Sequence, residues 1–133
     1  MQDFKTLRVW HLARALAVAL YHALPEKRAR RVTGLRGQAM RAITSVEWNI
    51  AEGCGRSSRV ELLKFLETAM SSLNEAESQL SYARDVRVIE TNVHSPLAQR
   101  IVVLRRMLIA LMRTIQHRIA QDESRRRTGD NAT

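Results

Sequence analysis

Apolar side chains return every three or four residues through most of this chain. Val9, Leu12, Ala13, Leu16 and Leu20 share one face at 3.6 residues per turn, and Trp10, Ala17, Tyr21 and Leu24 widen that stripe. The pattern predicts a first helix over residues 6–24, stopped by Pro25, whose ring cannot continue a helix. Leu35, Ala39, Ile43, Val46 and Ile50 predict a second helix over 35–52. Thr33 is its expected N-cap, and Gly37 a point where a neighbouring helix could approach. The third, over 59–85, carries the most regular seam: Leu62, Leu66, Ala69, Leu73, Ala76, Leu80 and Ala83 alternate steps of four and three. Ser95-Pro96 reads as an N-cap followed by proline at the first helical position. A fourth helix is therefore expected over 96–121, on Leu97, Ile101, Leu104, Leu108, Leu111 and Ile115. The remainder, DESRRRTGDNAT over 122–133, has no apolar face and is expected to be a flexible polar tail.

Four amphipathic helices with short connectors fold most simply as an all-α, antiparallel up-down-up-down bundle, here over residues 1–121. At about 1.5 Å per residue the third helix would be roughly 40 Å long. Val102 and Ile109 fall well off the core seam of the fourth helix, beside Arg106 and Arg113. With Trp10 and Tyr21 of the first helix, they read as an oligomer interface.

The stretch NIAEGCGRSS, residues 49–58, separates the second and third helices. Gly53 and Gly55 stand where a helix must stop, and glycine commonly takes the left-handed C-terminal position. Ser58-x-x-Glu61 matches a capping box, which starts the next helix at once. Asn49 and Glu52 would order this corner by hydrogen bonds to the backbone. A Walker-type loop is excluded, because a helix precedes and no lysine follows. The dinucleotide fingerprint fails because Ser58 stands where its third glycine belongs. Cys54 lacks a histidine base nearby in sequence, so a nucleophilic role is not expected. Arg56 and Arg59 beside the third helix's start could instead hold a phosphate.

Charge changes this picture more than composition does. Lysine and arginine number 22 against 13 aspartates and glutamates, a net charge of +9. Such a surface attracts polyanions without specifying a sequence. Residues 57–90 hold four basic and six acidic side chains, whereas 91–121 hold five arginines and no acid. The third helix is thus too acidic, and too long, to be a recognition helix of a helix-turn-helix reader. The basic surface belongs to the first and fourth helices and the first connector. Its expected phosphate contacts are Arg28, Arg30, Arg31, Arg106 and Arg113, with Arg56 and Arg59 at the corner.

A single cysteine cannot form an internal disulfide, no apolar run reaches 18 residues, and the N-terminal pattern does not suit a signal peptide. A cytoplasmic protein without a membrane partner is expected. No histidine follows a glutamate by three positions, so a bundle-type di-iron site is not expected. No other metal, cofactor or catalytic constellation is legible. The roles of Cys54 and of Arg125, Arg126 and Arg127 stay open.

Three segments, FKTLRVWHLA, SVEWNIAEGCGR and ELLKFLETAMSSLNEAESQL, make the chain resemble a known family over about residues 4–119. This is the family of small four-helix-bundle proteins first noticed as open reading frames in intervening sequences of bacterial 23S ribosomal RNA genes. Its corner pattern is close to S-[IV]-P-S-N-I-A-E-G-[FY]-G-R. Ser45, Val46, Asn49, Ile50, Ala51, Glu52, Gly53, Gly55 and Arg56 match it, while Glu47 and Trp48 replace Pro-Ser and Cys54 replaces an aromatic. The resemblance implies a four-helix bundle, commonly a ring-like homopentamer, with no established enzymatic activity. A related protein, the accessory variability determinant of diversity-generating retroelements, is a basic pentameric barrel that binds nucleic acid and a reverse transcriptase. The leading expectation is a non-catalytic oligomer that binds RNA or DNA through phosphate. The rival is a protein–protein scaffold, for example for a nucleic-acid enzyme.

Overall fold

The computed structural model describes residues 2–132, and among them the chain is helical throughout, with no strand. After a 3₁₀ turn at Phe4–Thr6 come α1 (Arg8–Ala23), α2 (Glu26–Ala29), α3 (Leu35–Cys54), α4 (Arg59–Asp85) and α5 (Thr91–Asn131). The seams read from the sequence are the ones that bury, except that Leu12, Leu62 and Leu111 are only half-buried. In α4, Leu66, Ala69, Leu73, Ala76, Leu80 and Ala83 are buried and Leu62 is half-buried; in α5, Leu97, Ile101, Leu104, Leu108 and Ile115 are buried. Together with Val9, Ala13, Leu16 and Leu20 of α1 and Ile43, Val46 and Ile50 of α3 they form one continuous core.

Helix α3 packs chiefly on α4, α4 also on α5, and α1 against both α3 and α5. Gln79 Nε2 donates to Gln38 Oε1 at 3.1 Å, the hydroxyls of Ser45 and Ser72 lie 2.9 Å apart, and Gly53 abuts Leu62 and Phe65. Partner numbers on α4 fall as those on α3 rise, so these two helices run in opposite directions. The molecule is a helical bundle.

Several boundaries differ from the sequence reading. The connector after Pro25 contains the one-turn helix α2, because Ala29 inserts into the core and Ala29 N–H bonds back to Pro25 O. Thr33 is not the N-cap of α3; Gly34 is, at φ +79°, a left-handed conformation that glycine adopts without steric cost. Nothing lies within 4 Å of where a Cβ on Gly37 would sit, so no helix approaches there.

The last helix begins at Thr91 rather than 96, with Glu90 extended before it. Val88 and Ile89 are buried in the core and pin the α4–α5 connector, which leaves the chain free to turn helical immediately. Ser95 is consequently inside the helix, as is Pro96, at an exposed position in the second turn. The same helix continues to Asn131, so residues 122–131 of the expected flexible tail are helical, while Thr133 lies outside the described residues. Elongating an existing helix avoids the cost of nucleation, and arginine and glutamate favour helix without any tertiary contact. From Glu123 to Ala132 the residues are nonetheless exposed, as the missing apolar face requires.

Candidate anion-binding cleft at the α3–α4 corner

The corner forms, but its glycines serve a different purpose from the expected one. Gly55 closes α3 at φ −77°, and neither Gly53 nor Gly55 takes a left-handed conformation. Gly53 lies inside α3, where an added Cβ would meet Leu62 Cδ1 at 2.8 Å and Phe65 Cβ at 2.9 Å. It is there because α4 turns back tightly against α3.

The start of α4 is capped as expected on one side. Ser58 Oγ accepts from the Glu61 N–H at 3.1 Å. The Glu61 carboxylate makes no return bond to Ser58 and is exposed, so the capping box is half-formed. Asn49 Nδ2 donates to Ser45 O at 2.7 Å and to Ser45 Oγ at 2.9 Å, and Ser45 meets Ser72 of α4. Asn49 thus braces Ser45, the residue that meets α4. Glu52 instead binds a side chain: Arg56 Nη2 donates to Glu52 Oε2 at 3.3 Å, while the Arg56 guanidinium rests on the Phe65 ring at 4.9 Å. Cation–π contact with Phe65 is a feature the sequence reading missed.

Cys54 is buried, and its carbonyl accepts from Gln2 N–H at 2.9 Å. Burial first, and the Asp3 charge second, push its thiol above the usual range. A protonated, enclosed thiol is a poor nucleophile. Among the described residues no group of three or more His, Cys, Asp or Glu could hold a metal ion.

Helix α5 passes this corner with its C-terminal half. Arg59 Nη1 bonds Asp122 Oδ2 at 2.5 Å, and a cleft of about 500 Å³ opens between the two elements. Arg56, Arg59, Arg118 and Arg126 line it, with Asp122 and Glu123 beside them. Arg118 and Arg126 have no carboxylate within 4 Å among the described residues, and the sequence reading did not select them as phosphate contacts. They stand some sixty positions along the chain from Arg56 and Arg59, and nothing local joins them.

The other expected contacts lie elsewhere. Arg28 pairs with Glu90 and Arg30 with Glu26, each at 3.7 Å, while Arg31 has no carboxylate partner among the described residues. They sit at the opposite end of α3, about 30 Å from the corner at 1.5 Å per residue. Arg106 and Arg113 are exposed on the outer face of α5, with Val102 half-buried and Ile109 36% exposed on the same stripe. The seven arginines therefore occupy three separate places.

The expected interface residues are similarly divided. Tyr21 is 55% exposed beneath the Arg36 guanidinium, but Trp10 is half-buried against Phe4 at 4.9 Å and Arg14 at 5.0 Å. Arg14 in turn pairs with Glu47, whose side chain is buried. Glu47 stands where the resembled pattern has proline, and α3 runs through it as unbroken helix. Its neighbour Trp48 is, among the described residues, the most exposed large apolar side chain, at 59%.

Comparison with known proteins agrees with this architecture. A family model for 23S rRNA-intervening sequence proteins matches residues 5–110. The chain belongs to that family. No curated protein matches it. A solved protein of unknown function from the S23 ribosomal protein family of Bacteroides thetaiotaomicron is similar in fold, with a TM-score of 0.71 at 20% identity. The alignment covers 78% of this chain and 97% of that one. The match ends before Arg118, so the α5 half of the cleft lies outside the segment that defines the family. No helix among the described residues is long and apolar enough to cross a membrane.

Proposed function

We propose that this family member is a non-catalytic, cytoplasmic nucleic-acid-binding protein. In this reading α1, α3, α4 and α5 alternate in direction as one antiparallel four-helix bundle. Copies associate as a homopentamer, and the assembly holds RNA or DNA by its phosphates with little sequence preference. The observation that carries the reading is that Arg31, Arg106, Arg113, Arg118 and Arg126 are among the arginines with no carboxylate partner among the described residues, in a chain of net charge +9. Guanidinium groups left unpaired in water keep their hydrogen-bond donors available for phosphate oxygens.

Pairing does reduce the contribution of Arg28, Arg30, Arg56 and Arg59, each already held by a carboxylate. The exposed pairs at 3.7 Å are weak and yield readily to a phosphate. Arg106 and Arg113 share their stripe with Val102 and Ile109, so burial of that stripe between copies would withdraw them from solvent.

Fluorescence anisotropy with labelled RNA and DNA of unrelated sequences tests the reading. Affinity should fall about a hundredfold or more between 50 and 200 mM salt, following counter-ion release. Salt-independent binding, or none at 50 mM, rejects it. The exposed side chains Trp48, Tyr21 and Val103 favour a second reading, a protein–protein scaffold. That alternative expects the natively purified protein to carry a defined protein partner and a nucleic-acid-free A260/A280 ratio.

A further inference from the structure

We propose that the cleft between the α3–α4 corner and the C-terminal half of α5 receives a terminal phosphomonoester, and that Asp122 occupies its place in the free protein. The inference rests on the phosphate-binding reading and deepens it by naming the group recognised. Three observations carry it together. Arg59, Arg118 and Arg126 converge on one cleft from two elements that are remote in sequence. Of these, Arg118 and Arg126 lack any carboxylate partner among the described residues. The third, Arg59, is already bonded to an oxyanion, the Asp122 carboxylate, at 2.5 Å. The chain's own acid thus shows that an oxygen anion fits the position.

The chemistry favours a phosphomonoester over a backbone diester. A monoester carries about −1.5 to −2 charge near neutral pH and three acceptor oxygens, against one charge and two free oxygens for a diester. Three guanidinium groups offer more donors than a diester can accept. Asp122 and Glu123 also oppose any incoming anion, so the ligand must carry enough charge to displace a carboxylate from Arg59. A cleft of about 500 Å³ has the size of a small-ligand site and suits the end of a strand or one nucleotide. Displacing Asp122 would also release the contact that ties this part of α5 to the start of α4.

The test compares a single-stranded RNA bearing a 5′-phosphate with the same strand bearing a 5′-hydroxyl, and AMP with adenosine, on the full-length protein at fixed salt. The phosphorylated member of at least one pair should bind about tenfold more tightly, as expected for charge-assisted hydrogen bonds. Preference within the RNA pair alone identifies a strand end, and preference within both pairs a nucleotide-sized ligand. Arg118→Gln with Arg126→Gln should erase the preference, and 5′-hydroxyl RNA should bind more weakly but still be held through Arg31, Arg106 and Arg113. Asp122→Asn, which keeps size and removes the competing charge, should strengthen it severalfold. Circular dichroism of each variant confirms that the fold persists.

Equal binding within both pairs overturns the inference, and if that binding is salt-dependent, general phosphate binding still stands. Loss of all binding to every strand overturns both. Weaker phosphate preference in Asp122→Asn also overturns it, because Asp122 would then be holding Arg59 in place rather than competing for it.

Discussion

A methyl group at Gly53 would lie 2.8 Å from Leu62 Cδ1 and 2.9 Å from Phe65 Cβ, closer than carbon atoms tolerate. Gly53→Ala should therefore destabilise the protein by about 1–3 kcal/mol, the usual cost of overpacking, read as a lower denaturation midpoint. Gly37→Ala, in open space on the same helix, should stabilise slightly through helix propensity. The opposite ranking would show that the α3–α4 approach is looser than described. His94 gives a second residue-scale expectation. Burial, and then the Arg84 charge, hold it below the usual histidine range despite the opposing charge of Asp85. On acidification the unfolded chain takes up this proton first, at about pH 6.5. The contribution is thus fully present above that pH and is lost as pH falls from there through the lower folded value. His94→Gln should flatten the part of the stability profile just below about pH 6.5. An NMR titration placing His94 at or above 6.5 would contradict it.

Among the elements, the long α4 and α5 were the most legible. A seam such as Leu66–Ala69–Leu73–Ala76–Leu80 declares both helix and buried face, because side chains three and four apart must point the same way. The ends were less so. Ser95-Pro96 has the local form of a helix start, yet burial of Val88 and Ile89 moves the start to Thr91. Tertiary anchoring overrode the local signal. At the other end, Ser124 to Asn131 lack an apolar face but continue as helix, since extension needs no core. Ser58 was readable as a cap because its bond to the Glu61 N–H spans only three residues. The role of Gly53 was not, because it depends on Phe65 across the corner.

At the scale of the whole molecule, the proposed pentamer makes a prediction of its own. Tyr21 stands on α1 and Ile109 on α5, and a contact between Tyr21 of one copy and Ile109 of another would be heterologous and could close a ring. Tyr21→Glu and Ile109→Glu should each shift the light-scattering mass from five copies toward one with helicity preserved. An unchanged mass in both would remove these residues from the interface.

What the sequence alone determined was the helical class, the buried seams, the corner after Cys54 and the excess of positive charge. All of these follow from composition or from spacings of a few residues. Only the tertiary structure decided which arginines act together. It paired Arg28 with the distant Glu90 at one end of α3 and brought Arg118 and Arg126 to Arg59 at the other. The physical reason is distance along the chain: a helical period reports which face a residue occupies, whereas a site assembled across sixty residues exists only once two helices have packed.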